Sequence, residues 1–290
     1  MDMNYRLLAI VVTYYPEKNL LEKNISAFIA YVDKVLIWEN TPEEKKIHYR
    51  FVDNEKVEYC GDGINSISHA LNYAWKYAES NGFNYLLTMD QDSVFENFTD
   101  YLKYAIYNKL CPSGIWIPSM LNGNQYVYQK SKEEVKEVFF GITSGMLLDI
   151  SVVRKIGGWN EAFAIDGVDC EFCFHAKRIG VKIYCFLNVI MYHQLGDYQK
   201  VHLRGRSFEL RNYSPKRYYN IYRNHVLLMR LFPEQKYFQT FCRCYWGGMI
   251  KWIFIFEKQR FMKLSYILRG ILEGRSANLD IMNRKIDEEK

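Results

Sequence analysis

The stretch Tyr85-Leu86-Leu87-Thr88-Met89-Asp90-Gln91-Asp92-Ser93-Val94-Phe95 decides the reading of this chain. Its apolar half breaks abruptly into Asp90-Gln91-Asp92-Ser93, the pattern of a buried strand that ends at a site handling a cation or phosphate. In extended backbone, carboxylates at i and i+2 point the same way. If the strand is buried, such a pair repels itself unless a proton or a cation lies between the two, and a divalent metal is the economical answer. Asp-x-Asp-Ser is also good loop and N-cap chemistry, so this stretch alone leaves both readings open.

Working outward, Leu7 to Thr13 (LLAIVVT) is a continuous aliphatic run, as expected of a central parallel strand covered on both faces. Asn19 to Tyr31 carries Leu21, Ile25, Phe28 and Ile29 at helical spacing. Val35 to Trp38 and Val57 to Cys60 read as further strands, and Ser66 to Ser80 as a helix. Strand, helix, strand, strand, helix, strand predicts an α/β domain with a mostly parallel central sheet flanked by helices. Ligands of such sheets bind outside the carboxyl ends of the strands. Thr13-Tyr14, Glu39-Asn40, Gly61-Asp62-Gly63 and Asp90-Gln91-Asp92 all sit at those ends, so the pattern places them on one crevice and strengthens the ligand-site reading.

Beyond it, Tyr101 to Leu110 reads as a helix and Gly114 to Pro118 as a strand. Val138 to Asp149 reads as strand, tight Ser144-Gly145 turn, strand; Ser151 is expected to cap a short helix that stops at Gly157-Gly158. Asp166, Asp169 and Glu171 precede a helix ending in Lys177-Arg178, acid first and base last as the helix dipole prefers. Val181 to Phe186 is one more strand, and Val189 to Tyr192 leads to His193-Gln194-Leu195-Gly196-Asp197. From Tyr198 the chain becomes basic and Tyr-rich, with Arg217 and Arg223 among the cations. Pro233 to Gly270 is helix-like and aromatic. The expected division is residues 1–200 as the α/β domain that carries the ligand crevice and 201–290 as a mainly helical C-terminal region that completes the site or docks to membrane.

The bulk composition, 49% hydrophobic and 24% charged, is globular, and no stretch reaches the roughly 18 apolar residues of a membrane span. Aromatics at 17% suit sugar-handling or interfacial surfaces. A net charge of +5 points to an anionic partner, phosphates or acidic lipid, and is too small to argue for nucleic acid. The seven scattered cysteines read as reduced cytoplasmic thiols, Cys170-x-x-Cys173 included, since no second pair is present to complete a zinc site. The start of the chain has no basic n-region and runs straight into a strand, so it is not read as a targeting segment.

The pattern resembles the family-2 inverting glycosyltransferases of the GT-A fold, and within them the bacterial rhamnosyltransferase-like members that build O-antigen and capsular polysaccharide. The likeness runs from Ala9 to about Gly274 through AIVVTYYP, LIWENTP, ISHALNYA, LLTMDQDS, ITSGMLL, FAIDGVDCEFC, HQLGD and SPKRYYNIYRN, in that order and spacing. It implies that Thr13 and Tyr14 line the nucleotide pocket, with Glu39 or Asn40 against the base or ribose. Asp90 and Asp92 then form the Asp-x-Asp motif, Asp92 the more direct metal ligand, with His193 completing the metal or diphosphate site. Asp169 matches the catalytic base and Glu171 the acidic residue after it.

Two departures stand out. Gly63-Ile64-Asn65-Ser66 replaces the family's Asn-x-Gly, and His175 stands where an Arg is usual. Asp166 is the alternative base. Arg217 and Arg223 are diphosphate contacts or a solvated basic face, and Ser144-Gly145 is an acceptor approach or a plain turn.

A departing nucleotide diphosphate needs its developing charge neutralised, which Mg2+ or Mn2+ does with one or two carboxylates. The expected reaction takes a dTDP- or UDP-sugar, L-rhamnose being one option, to a hydroxyl of a lipid-linked oligosaccharide. The expected location is cytoplasmic, peripheral on an anionic membrane surface at the inner face of the bacterial plasma membrane. A sugar-phosphate nucleotidyltransferase would show a Gly-rich basic loop where Tyr14-Tyr15-Pro16-Glu17 stands. A non-catalytic membrane-docked scaffold is the remaining alternative, and it would neither hydrolyse a donor nor respond to chelation.

Overall fold

Leu7–Thr13 forms β1, and its first five residues are fully shielded from solvent, as a covered central strand requires. The structure, a computed structural model, describes residues 5–42, 54–108, 110–122, 125–126, 128, 133–193, 199–203 and 206–282. Of HQLGD only His193 is among them. The chain divides into two units, residues 1–164 with 168–194, and residues 165–167 with 195–290.

In the first unit β1 is followed by α1 (Lys18–Ser26), β2 (Lys34–Glu39), β3 (Val57–Cys60), α2 (Ile67–Ser80) and β4 (Tyr85–Asp90). Next come β5 (Ser93–Phe95), α3 (Phe98–Leu102), β6 (Ile115–Asn122), β7 (Gln125–Tyr126), β8 (Val135–Val138) and β9 (Met146–Asp149). The unit ends with α4 (Ile150–Ile156), α5 (Val168–Arg178) and β10 (Ile183–His193). The main sheet runs β3-β2-β1-β4-β9-β6-β10-β5. β3, β2, β1 and β4 are mutually parallel, as are β6 and β10, whereas β9 and β5 pair antiparallel. The mostly parallel α/β sheet read from the sequence is therefore present.

Several boundaries differ from the sequence pattern. The first helix stops at Ser26, because Ala27 and Phe28 bond back three residues and turn the fully buried Phe28 ring toward Phe98. Only a 3-10 turn, Ile29–Tyr31, follows. The expected helix at Tyr101 begins at Phe98, capped by Asn97, and continues as a π-helical turn over Lys103–Tyr107. The expected hairpin at 138–149 does not form: β8 pairs with β10, β9 with β4 and β6, and 139–145 is a non-repetitive turn. Asp149, not Ser151, caps α4; its Oδ1 accepts from the Ser151 N–H at 2.8 Å. The strand expected at 181–186 runs on to His193 as β10, and its register shifts between Phe186 and Ile190.

The second unit opens with an antiparallel pair, β11 (Gln199–Leu203) and β12 (Arg206–Leu210), and continues as α6 (Pro215–Leu231), α7 (Lys236–Phe256) and α8 (Arg260–Ser276). Ser214 caps α6 through the Arg217 N–H, with Pro215 at the first helical position, where proline's fixed φ suits a helix start. Gly270 and Gly274 let α8 lie against α6: a Cβ at Gly270 would sit 2.5 Å from the Tyr219 carbonyl oxygen and 3.2 Å from the Arg223 nitrogen. Backbone cannot step aside cheaply, so Gly270→Ala is expected to cost about 1–3 kcal/mol despite its better helix propensity. A urea melt of the variant measures this, and an unchanged or raised midpoint would contradict the close approach. A buried network closes the unit: Lys263 Nζ donates to Glu257 Oε2 (2.8 Å) and Asn212 Oδ1 (2.7 Å), and the Tyr218 hydroxyl donates to Glu257 Oε1 (2.7 Å).

Candidate active site

Parallel pairing sets the strand ends side by side, with Thr13 opposite Glu39 and Val12 opposite Asp90. Thr13 is fully buried, and its hydroxyl donates to the Trp38 carbonyl at 3.1 Å. The Asn40 N–H donates to the Thr13 carbonyl, and its Oδ1 accepts from the Trp38 indole at 3.0 Å. Glu39 Oε1 accepts from the Thr41 N–H. Tyr14 and Tyr15 carry exposed rings packed edge to face, with Tyr15 in the left-handed region at φ 48°. Gln91, the middle residue of Asp-x-Asp, locks the ends of β1 and β4 together. Its Oε1 accepts from the Tyr14 N–H (2.7 Å) and its Nε2 donates to the Tyr14 carbonyl (3.1 Å).

Asp90, Asp92 and His193 bring one ligand atom each within 4.8 Å of one another. Antiparallel pairing of β10 with β5 delivers the histidine, placing His193 opposite Ser93. His193 Nδ1 lies 3.5 Å from Asp92 Oδ1 and 2.7 Å from Ser93 Oγ. Ser144 Oγ donates to Ser93 Oγ (2.7 Å) and accepts from the Asp90 N–H (3.0 Å). The Asn24 amide of α1 donates to the carbonyls of Asp90 (2.7 Å) and Ser93. The turn is therefore held from three sides while its carboxylates are left for other work. Asp92 Oδ1 is buried without a hydrogen-bond partner. Burial, then the charges of Asp92 and Asp169, push Asp90 up to about 8. Burial also raises Asp92, with His193 opposing. An orphaned carboxylate oxygen beside a crowded like-charge pair and an imidazole is a donor set that fits a divalent cation.

Asp169 lies in the first turn of α5, the positive end of the helix dipole. Its Oδ1 accepts from both the Thr143 N–H (3.1 Å) and the Thr143 hydroxyl (2.7 Å), and its charge reaches Asp90. Glu171 is buried, with Asn160 Nδ2 donating to Oε1 at 3.3 Å. Gly145, at φ 80°, donates its N–H to the Thr88 carbonyl, and its own carbonyl accepts from the buried Tyr101 hydroxyl. A Cβ there would come within 2.7 Å of Met191 Sδ. Ser144 and Gly145 are buried, and their bonds are those of a support under the Asp90 turn.

No protein-family model matches the chain. Over 250 residues, 79% of this chain and 81% of the relative, it is 26% identical to the dTDP-rhamnosyl transferase RfbF of Shigella flexneri. Among solved structures it superimposes on GalNAc-T7 with UDP, GalNAc and Mn2+ at a TM-score of 0.59 and 12% identity, over 79% of this chain and 48% of the other. The chain thus spans about half the length of GalNAc-T7. S. aureus TarS 1–349 superimposes at a TM-score of 0.55 and 13% identity, over 96% of this chain and 83% of the other. The chain has the GT-A fold.

The remaining candidate residues belong to the second unit. Asp166 is held at φ 58° by the Asn224 amide, which donates to the carbonyls of Ile165 (2.9 Å) and Asp166 (2.6 Å). Burial raises the Asp166 carboxyl and Arg217 opposes; Arg217 Nη2 donates to Oδ1 at 3.4 Å, whereas Oδ2 is buried without a hydrogen-bond partner. The Arg217 guanidinium also lies 4.1 Å from the Tyr213 ring centre. Arg223 donates to Glu273 (3.1 Å) and to Asn224 (2.8 Å).

Sequence reasoning passed over Asn24, Gln91, Ser93 and Thr143, the groups that position the carboxylates of the first unit. A signal existed for one of them: Asn24 stands on the apolar face of α1 between Leu21 and Ile25 and is fully buried. Buried amides are satisfied by partners, so such a residue marks a fixed point.

Proposed function

We propose that this chain is an inverting glycosyltransferase that moves a sugar, L-rhamnose being favoured, from a dTDP- or UDP-linked donor to a hydroxyl of a growing, lipid-linked cell-surface polysaccharide of O-antigen or capsule type. The observation that carries the reading is the Asp90, Asp92 and His193 cluster with Asp169 in electrostatic reach. Support for the donor comes from the relatives: one is named a dTDP-rhamnosyl transferase, and solved neighbours hold UDP with Mn2+ or UDP-GlcNAc. Asp92, with Asp90 and His193, would hold Mg2+ or Mn2+, which when bound neutralises charge on the departing diphosphate. Thr13, Tyr14, Glu39 and Asn40 are the proposed nucleotide surroundings, Tyr14 offering the exposed ring.

Asp169 is the proposed general base. As the acceptor oxygen bonds to the anomeric carbon and the bond from that carbon to the diphosphate oxygen breaks, the hydroxyl proton passes to the Asp169 carboxylate. Thr143 orients that carboxyl through Oδ1. The proposed location is the cytoplasmic face of the plasma membrane, where a lipid-linked acceptor and a nucleotide sugar meet. No helix among the described residues is long and apolar enough to cross a membrane.

A thermal-shift screen of dTDP-rhamnose, UDP-galactose and UDP-GlcNAc, each with Mn2+ or with EDTA, tests the reading. The true donor at a hundredfold its Kd should raise Tm by about 5 °C or more with Mn2+, from about 2.7 kcal/mol of mass-action stabilisation. EDTA should remove the shift. Equal shifts with and without EDTA would exclude the metal role, and none with any nucleotide sugar would return the chain to the scaffold reading.

A further inference from the structure

α7 is 21 residues long, and only Cys242 and Ile253 are fully buried on it. At about 100° per residue these two lie on one side, and the outward half carries Ile255 roughly opposite them, with Phe241 and Phe254 on its two flanks, all in solvent. α8 repeats the inversion. Its buried line, Lys263, Ile267, Gly270 and Gly274, faces α6, while Phe261 (71% exposed), Leu268 (57%) and Leu272 (55%) fall within about 40° of one another on the far side. A helix of a soluble domain ordinarily turns charge outward. Here two successive helices turn large apolar side chains outward, and such patches mark interaction sites.

Charge selects the partner. Residues 236–276 hold eight Lys or Arg against two Glu, a net of six positive charges, one more than the +5 of the whole chain. Both glutamates are engaged inside the unit, Glu257 with Lys263 and Glu273 with Arg223. The cations accompany the apolar residues: Lys251 lies on the outward side of α7, and Lys258 and Arg260 flank the turn into α8. A second copy presenting this face would set like charge against like charge. An anionic bilayer supplies both an acyl boundary for the rings and phosphates for the cations.

We propose that the outward faces of α7 and α8 form a membrane-docking surface that lies in the interface of an anionic lipid bilayer without crossing it. The inference deepens the reading of a lipid-linked acceptor, yet it is measured without donor or acceptor. Phe261, Leu268 and Leu272 enter the headgroup boundary, and the stems of Lys251 and Lys258 lie along it with their ammonium groups at the phosphates.

Co-sedimentation of the full chain with vesicles of phosphatidylethanolamine and phosphatidylglycerol, against vesicles of phosphatidylcholine alone, is the test. The wild type should partition at least about tenfold more strongly to the anionic vesicles, and raising salt to about 0.5 M should remove most of that preference. Phe261→Ser with Leu268→Ser and Leu272→Ser should lose about tenfold or more of the binding. Lys251→Glu with Lys258→Glu should lose the anionic preference alone. All five positions are exposed, so both variants should melt as wild type does and keep any donor-induced thermal shift. Equal binding to both lipids, no binding at low salt, or a dimer by light scattering that the triple variant dissociates would overturn the proposal; a missing donor shift with intact vesicle binding would fault the transferase reading instead.

Discussion

Asp92→Asn is expected to lower sugar transfer by about 10³ or more and to abolish the thermal response to Mn2+, while leaving the protein folded. Asp92 sits where β4 ends, half-buried, 3.5 Å from His193 Nδ1, with Oδ1 lacking a hydrogen-bond partner. Apart from the His193 imidazole, no group of the protein contacts that oxygen through a hydrogen bond or ion pair among the described residues. The turn is held instead by Asn24, Ser144 and the Gln91–Tyr14 pair. Removing one negative charge also relieves Asp90, which the Asp92 charge helps push up to about 8. In EDTA the variant should therefore melt at the wild-type temperature or slightly above. The two measurements separate the metal role from a polar-loop role: a loop residue would change stability and spare turnover. Transfer within about tenfold of wild type at saturating Mn2+ would exclude Asp92 as the ligand.

The sheet was legible because its strands declare themselves. Leu7 to Thr13 and Tyr85 to Met89 are apolar enough to be strands covered on both faces, and an apolar run that breaks into Asp-Gln-Asp can hardly continue inside a core. What joins those strands to the rest was less legible. His193 reaches Asp92 across 101 positions of chain through the β10–β5 pairing, and no local pattern encodes a partner at that distance. The segment 139–145 misled in the opposite way. Its apolar residues suggested a strand, but the N–H groups of Thr143 and Gly145 go to Asp169 and to the Thr88 carbonyl, so the segment cannot pair regularly. Backbone committed to a site is thus where periodicity fails, which fits the general tendency of local rules to break at function. Ser151 was misread as a cap for a smaller reason: Asp149, two positions earlier, offers the better acceptor and takes both the N–H and the hydroxyl of Ser151.

Asp169→Asn is expected to cut kcat by about 10² to 10⁴ while leaving donor affinity and the Mn2+ response close to wild type. The substitution is mild for the fold, because an Asn Oδ1 can accept the same two bonds from Thr143, and asparagine serves a helix start as well as aspartate does. What it loses is a basic oxygen able to take a proton from the acceptor hydroxyl. The pattern of loss therefore identifies the role. A metal-site defect would raise the donor KM and blunt the response to Mn2+, whereas loss of a base lowers turnover at saturating donor and removes the acidic limb of the pH–rate profile. If Asp169 only held α5, turnover would stay within a few-fold. Asp166→Asn is the companion measurement, since Asp166 is the other carboxylate of this segment and asparagine tolerates its positive φ. Turnover within about tenfold is expected there. A collapse at Asp166 with full activity at Asp169 would move the base three residues toward the N-terminus and into the second unit.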